Sequence, residues 1–199
     1  MERFQKRKVA VLRGVDLSRK GSVDVSILHL VQLINEQETC FTTSSCSGRI
    51  CLVEQEAEGK VKKKGCAWLY MTHEIADPNL VLRVAQKAEG NAVLKFEGFV
   101  LHLQCCDLKI AAHLLSEAVA SGFRNSGISV GGKGRITLAV RSTHSLEVPV
   151  TFNGVMAVSE EYIKSIVKLA NAKMEENNIR IERLYGNFRQ YSAKFRLKK

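Results

Sequence analysis

Apolar residues return at helical spacing between Ile27 and Ile34, where Ile27, Leu28, Leu30, Val31 and Ile34 alternate with polar positions. Asp24 stands where the cap of that helix belongs. Upstream, Phe4, Val9, Val11 and Leu12 lie among Lys and Arg and predict a short basic helix over 3–13. Strand-like segments follow at 39–43 and 49–55. "EQEAEGKVKKKG" reads as a hairpin connection and "CAWLYMTH" (66–73) as a buried strand. Asp77 and Pro78 open a helix in "ADPNLVLRVAQKA". "AVLKFEGFVLHLQCC" alternates as two strands hinged near Gly98.

The pattern then returns. Asp107 can cap a second helix, 107–121, built on Leu108, Ala111, Ala112, Leu115 and Val119 and closed at Gly122. "FRNSGISVGGKGRITLAVRSTHSLEVPV" predicts strand, glycine turn, strand, turn and strand, and Pro149 makes the last an edge strand. A long helix over about 159–190 shows Ile163, Val167, Ala170, Met174, Ile181, Leu184 and Phe188 on one face. Its other side carries Lys164, Lys168 and several arginines. The two halves look related. Helix 24–36 leads to Ser47-Gly48, a hairpin and Thr72-His73, and helix 107–121 leads to Ser126-Gly127, a hairpin and Thr143-His144. The expected fold is α+β, a single domain over 1–199. It has two related helix-plus-β-meander units (about 24–97 and 107–153) sharing a mixed or antiparallel sheet, with basic helices at both chain ends. The paired turns would be equivalent and could face one cleft.

Charge placement sharpens the picture. The formal net charge is +10, yet residues 1–20 hold seven Lys/Arg against two Asp/Glu, and residues 160–199 hold ten against five. The middle is neutral, with thirteen of each. Excess positive charge at both ends is the footprint of a polyanion partner, set against the plainer reading of two solvated basic helix faces. At 199 residues and 45% hydrophobic, the chain suffices for one ordinary core. No apolar run approaches a membrane span, and the charged N-terminus is not a secretory signal. A cytoplasmic location, or cytoplasmic and nuclear, is expected. Six cysteines without a C-x-x-C pair, and five histidines without ligand spacing, leave no metal site expected.

"GISVGGKG" (127–134) nearly spells the phosphate-binding P-loop, but Gly134 stands where a hydroxyl must hold magnesium, and "RITLAVR" follows as a strand rather than a helix. A glycine hairpin is the better reading. No G-x-G-x-x-G follows a strand, so the Rossmann signature of ordinary methyltransferases is absent. "FTTSSCSGRI" (41–50) gathers hydroxyls, a permissive glycine and Arg49, and "FRNSG" repeats that chemistry with Arg124, Ser126 and Gly127. Two such turns, each leading to a Thr-His, favour an anionic or zwitterionic ligand over plain turns. Cys46 reads as a small buried hydrophobe rather than a nucleophile. Trp68 is core, pocket wall or a base-stacking platform.

The strings "DLSRKGSVD" (16–24), "FTTSSCSGRI" (41–50), "CAWLYMTHE" (66–74), "LKFEGFVLHLQC" (94–105), "SGFRNSGISVG" (121–131), "LAVRSTHSLEVPV" (138–150) and "VSEEYIKSIVKLANAKMEENNIRIERLY" (158–185) closely resemble the wybutosine-synthesising tRNA methyltransferase family. The resemblance implies an S-adenosylmethionine-dependent enzyme of non-Rossmann fold. It would methylate N4 of 7-(3-amino-3-carboxypropyl)wyosine at position 37, 3′ of the anticodon, in tRNA-Phe carrying a partly built wybutosine. Removing the N4 proton needs a base, with Asp24, His73 and Glu97 as candidates. Arg124, Ser126, Gly127, Arg141 and His144 are the candidates for the cofactor. Ser45, Ser47, Arg49, Lys20, Trp68, Lys164, Lys168, Arg180 and Arg183 are those for RNA. The competing readings are a non-catalytic tRNA-binding module and a nucleotide-binding protein using the 131–134 turn.

Overall fold

The computed structural model describes residues 1–14, 21–55 and 67–196. They form two compact units, each assembled from separate stretches of chain. The first takes Met1–Ser47, Phe99–Thr143 and Asn178–Lys199, and the second takes Gly48–Gly98 and His144–Asn177.

The first unit holds helix α1 (Glu2–Leu12), a 3₁₀ turn (Val25–Ile27), helix α2 (Leu28–Asn35) and strand β1 (Cys40–Cys46). The second unit supplies the elements that come next in the chain: β2 (Arg49–Gln55), β3 (Ala67–Thr72), α3 (Pro78–Ala85) and β4 (Asn91–Glu97). The first unit continues with β5 (Val100–Cys105), α4 (Leu108–Ala120), β6 (Gly127–Gly131) and β7 (Arg135–Arg141). Strand β8 (Ser145–Pro149) and the small hairpin β9 (Thr151–Phe152) and β10 (Val155–Met156) return to the second. Helix α5 (Glu160–Arg196) gives its first half to the second unit and its second half to the first.

Every strand pairing is antiparallel. The first unit's sheet runs β1-β5-β7-β6 and the second's β3-β2-β4-β8. Alternation decides which face is buried: along β5, Leu101, Leu103 and Cys105 point into the core while Val100, His102 and Gln104 stay half-buried. Ile27, Leu30, Val31 and Ile34 close that core with Ala111, Leu114, Ala118, Ile181, Leu184 and Phe188. In the second unit Ile50, Leu52, Leu94 and Phe96 pack with Val81, Leu82 and Ala85 and with Ile163, Val167, Ala170 and Met174. The buried seam of α5 steps by four and three from Ile163 through Val167 to Phe188, with Ile166 buried beside it and Asn177 as the one buried polar member.

The α+β class, the antiparallel pairing and the helix positions agree with the sequence reading. The single shared sheet does not: eight strands form two separate four-stranded sheets. The reason lies in the short connections after β1, β4 and β7. Each joins strands that alternate like a hairpin but belong to different sheets, and Gly48, at φ +106°, lets the chain break away after β1. The units consequently interleave along the chain instead of following one another as about 24–97 and 107–153. The turns are not equivalent either. Ser47-Gly48 links the two sheets, whereas Ser126-Gly127 leads into a strand of the first.

Strand β3, expected to be buried, is an edge strand with half-exposed side chains, because only β2 pairs with it. Pro149 lies in the opposite edge strand, as expected. Gly132–Gly134 forms a 3₁₀ turn between two strands, not a loop entering a helix. The basic connection at 56–66 and Lys20 lie outside the described residues.

Candidate functional site

Asp24 does not cap its helix. Its backbone is extended and its side chain makes no cap bond. The Oδ2 atom instead accepts from the Ser47 backbone N–H at 2.9 Å and from the Ser47 hydroxyl at 3.0 Å. Asp24 is 7% exposed and Ser47 1%, so this is a buried carboxylate held by two donors of a single residue. Asp107 does cap α4, accepting from Ile110 N–H at 2.8 Å. Two aspartates at similar helix entries therefore do different work.

At the other end of α4, Gly122 adopts φ +102° and turns the chain toward Arg124. Arg180 reaches that turn from α5, its Nη1 donating to Gly122 O at 3.2 Å and to Thr143 Oγ1 at 3.4 Å. Arg183 Nη1 donates to Ser121 O at 3.5 Å. With Arg124 and Thr143 these arginines line a recess of about 330 Å³ within the first unit. Three guanidinium groups around one recess suit a carboxylate or a phosphate. Ser126 does not join them: its hydroxyl donates to Phe123 O at 2.6 Å and accepts from Arg141 N–H at 3.2 Å, stitching the turn. Gly127 begins β6 opposite Ala139.

On the non-core face of the first sheet, Ser44 Oγ and His102 Nδ1 lie 2.8 Å apart. Burial, and then the charge of Arg141, push His102 below the ordinary histidine range. Ser45 faces the core side of β1, opposite Leu101, so it is separated from Ser44 by the pleat.

In the second unit Arg49 and Glu97 stand opposite each other on β2 and β4. Arg49 Nε donates to Glu97 Oε2 at 2.6 Å, and its guanidinium lies 4.7 Å from the Trp68 ring centre. Glu97 thus pairs with Arg49, while Lys95 pairs with Glu147 at 2.8 Å. His73, just past β3, lies with Nδ1 2.7 Å from Gly48 O. A carbonyl oxygen only accepts, so Nδ1 carries the proton and the neutral ring has its lone pair on Nε2. His144 is half-buried at the start of the second unit's later stretch. On the first half of α5, Lys164 is half-buried and Lys168 exposed.

The structure therefore unites Asp24 with Ser47, Arg124 with Arg180 and Arg183, and Arg49 with Glu97 and Trp68. Ser45, Ser126, Gly127, Lys164 and Lys168 join none of these groups. The sequence reading missed His102 and passed over Thr143 as a site residue. Alternation in "VLHLQC" already places His102 on the non-core face, and that was the signal to use.

Residues 5–190 match the family described as "Methyltransferase TYW3". The chain is 54% identical to the Bos taurus "tRNA wybutosine-synthesizing protein 3 homolog" over 92% of its length and 71% of that protein's. The Homo sapiens protein of the same name is 52% identical over the same shares. Among solved structures, the PH1069 protein from Pyrococcus horikoshii superposes with a TM-score of 0.85 at 32% identity, covering 94% of this chain and 96% of that one. With a family match over nearly its whole length and relatives this close, the chain belongs to the TYW3 methyltransferase family of tRNA-modifying enzymes.

Proposed function

We propose that this chain methylates N4 of 7-(3-amino-3-carboxypropyl)wyosine at position 37 of tRNA-Phe, with S-adenosylmethionine as the donor. The observation that carries the donor assignment is the recess of Arg124, Arg180 and Arg183. The methionine end of S-adenosylmethionine bears a carboxylate, and a guanidinium fork meets a carboxylate with two parallel hydrogen bonds. Arg180 and Arg183 are themselves fixed by backbone carbonyls, so they present the recess in place rather than assembling it on binding. When bound, the donor supplies an electrophilic methyl carbon. The protein's share is orientation and the removal of a proton.

Of the three candidate bases we take His73: the Gly48 carbonyl sets its tautomer, so the ring nitrogen to take the N4 proton is Nε2. Glu97 is less suited, because its carboxylate is engaged by Arg49. Asp24 acts at one remove, fixing Ser47 by both of its donors. Direct transfer requires alignment of the reacting atoms and no covalent enzyme intermediate.

The test is incubation with tRNA-Phe taken from cells that lack this step. The expected result is a gain of one methyl on the modified base, dependent on S-adenosylmethionine. Binding of that tRNA without any mass gain would support the non-catalytic reading instead.

A further inference from the structure

A second arginine cluster lies away from the recess, also within the first unit. Arg3, Arg7 and Arg135, with Gly132, line a cleft of about 410 Å³ between α1 and the β6–β7 hairpin. Helix α1 is fastened there by one face. Phe4 is buried against Phe41 with ring centres 5.3 Å apart, Gln5 Nε2 donates to Glu38 O at 2.7 Å, and Lys8 Nζ donates to Gln37 O and Cys40 O. With positions 4, 5 and 8 committed, Arg3 and Arg7 stand together one turn apart on the neighbouring face. Arg135 opens β7, directly after the glycine turn.

Two observations point to a ligand. None of the three guanidinium groups forms an ion pair or side-chain hydrogen bond among the described residues, so three unpaired like charges line one cleft. Gly132 also lacks an internal reason to be glycine. A Cβ built there meets nothing within 4 Å, and its backbone is not in the left-handed region. A missing side chain in open space lets something outside the protein approach the backbone closely.

We propose that this cleft holds the phosphodiester backbone of the tRNA, apart from the modified base. The proposal rests on the tRNA-methyltransferase reading above. Its chemistry favours phosphates over bases, since the described residues that line the cleft are arginines and a bare glycine, with no aromatic ring among them. It also gives the glycine turn a use that does not need the P-loop it resembles.

The test compares the whole chain with an Arg3→Ala/Arg7→Ala/Arg135→Ala variant and with Gly132→Leu. For each, tRNA-Phe affinity is measured across a salt series, together with S-adenosylmethionine affinity, methylation and melting temperature. The triple variant should bind tRNA at least about tenfold more weakly near physiological salt. Its log affinity against log salt should flatten by roughly one unit per arginine. KM for tRNA should rise while kcat and S-adenosylmethionine affinity hold. Gly132→Leu should weaken tRNA binding with no loss of melting temperature. Wild-type affinity and slope in a folded triple variant would overturn the cleft assignment while leaving the enzyme reading standing. So would a loss of S-adenosylmethionine binding with tRNA binding intact. A wild-type chain that neither binds nor methylates tRNA would overturn both.

Discussion

Ser47 gives both its backbone N–H and its hydroxyl to one oxygen of Asp24, at 2.9 and 3.0 Å, and both residues are buried. The two partners are not symmetrical. Ser47→Ala removes one bond and keeps the other, at a cost of about 1 kcal/mol. Asp24→Ala takes the acceptor from both Ser47 donors at once, at about 1–3 kcal/mol for each group left unsatisfied. Thermal melts should rank Asp24→Ala below Ser47→Ala, with roughly 2–4 °C lost per kcal/mol in a chain of this size. The reverse order would mean that this pair does not carry the local stability.

His73→Asn tests the base. The asparagine amide nitrogen stands where Nδ1 does and can still donate to Gly48 O, so that bond is kept while the basic nitrogen is lost. Methylation should fall by about 10²–10⁴-fold, the range general-base removal commonly gives, with tRNA binding and fold unchanged. Activity within about threefold of wild type would transfer the role to another group.

His102 makes a pH-dependent contribution. Burial, then the Arg141 charge, hold its folded-state pKa below the usual 6.5. Below about pH 6.5 the unfolded chain takes up this proton before the folded one does. The His102 contribution is therefore full above that pH, declines as pH falls through the folded-state value, and is flat below it. Histidine NMR should show a depressed titration for His102. Arg141→Ala should raise it only in part, since burial is the larger cause. A full return to the ordinary value in Arg141→Ala would reverse that order.

Gly154 and Gly132 should respond oppositely to alanine. Gly154 sits at φ +76°, and an added Cβ would lie 2.9 Å from the Glu89 carbonyl oxygen. Its N–H also donates to Gly90 O at 3.0 Å, docking the β9–β10 hairpin on the turn after α3. Gly154→Ala should cost about 1–3 kcal/mol from strain alone. Gly132→Ala should melt like wild type. Equal melting of all three proteins would remove the close approach at Gly154.

The thiols should divide by burial. Burial pushes Cys40 up to about 12 and Cys51 up to about 11, and it raises Cys105 as well. At pH 8 the Cys51 thiolate fraction is about a thousandth. Iodoacetamide mapping should find these three unlabelled in the folded protein and labelled after denaturation. Rapid native labelling of Cys51 would contradict its burial.

The sequence carried periodicity well and partnership poorly. The spacing of Ile163, Val167, Ala170 and Met174 already defined the buried seam of α5, and Asp77-Pro78 and Asp107 marked helix starts that the structure keeps. Alternation says which face of a strand is buried but not which strand lies beside it. That is why β4 and β5, adjacent in sequence, appeared to share a sheet. Asn153-Gly154 is a strong two-residue hairpin signal, and its positive φ angles bear that out, yet the sequence reading passed over it. The Asp24–Ser47 pair was not legible. Both residues were singled out, but only tertiary packing brings a helix entry to the end of β1.

The interleaved chain has a consequence for how the protein is made. The first unit needs Ile181, Leu184 and Phe188 to complete its core, and the second needs Ile163, Val167, Ala170 and Met174. Both sets arrive on α5, after every strand has been synthesised. On the ribosome, neither core is complete until that helix has emerged, although α2 and α4 already cover part of the first core and α3 part of the second. No single cut in the gene frees either unit whole. A nascent chain stalled before residue 160 should therefore be more protease-sensitive than the finished chain in both units.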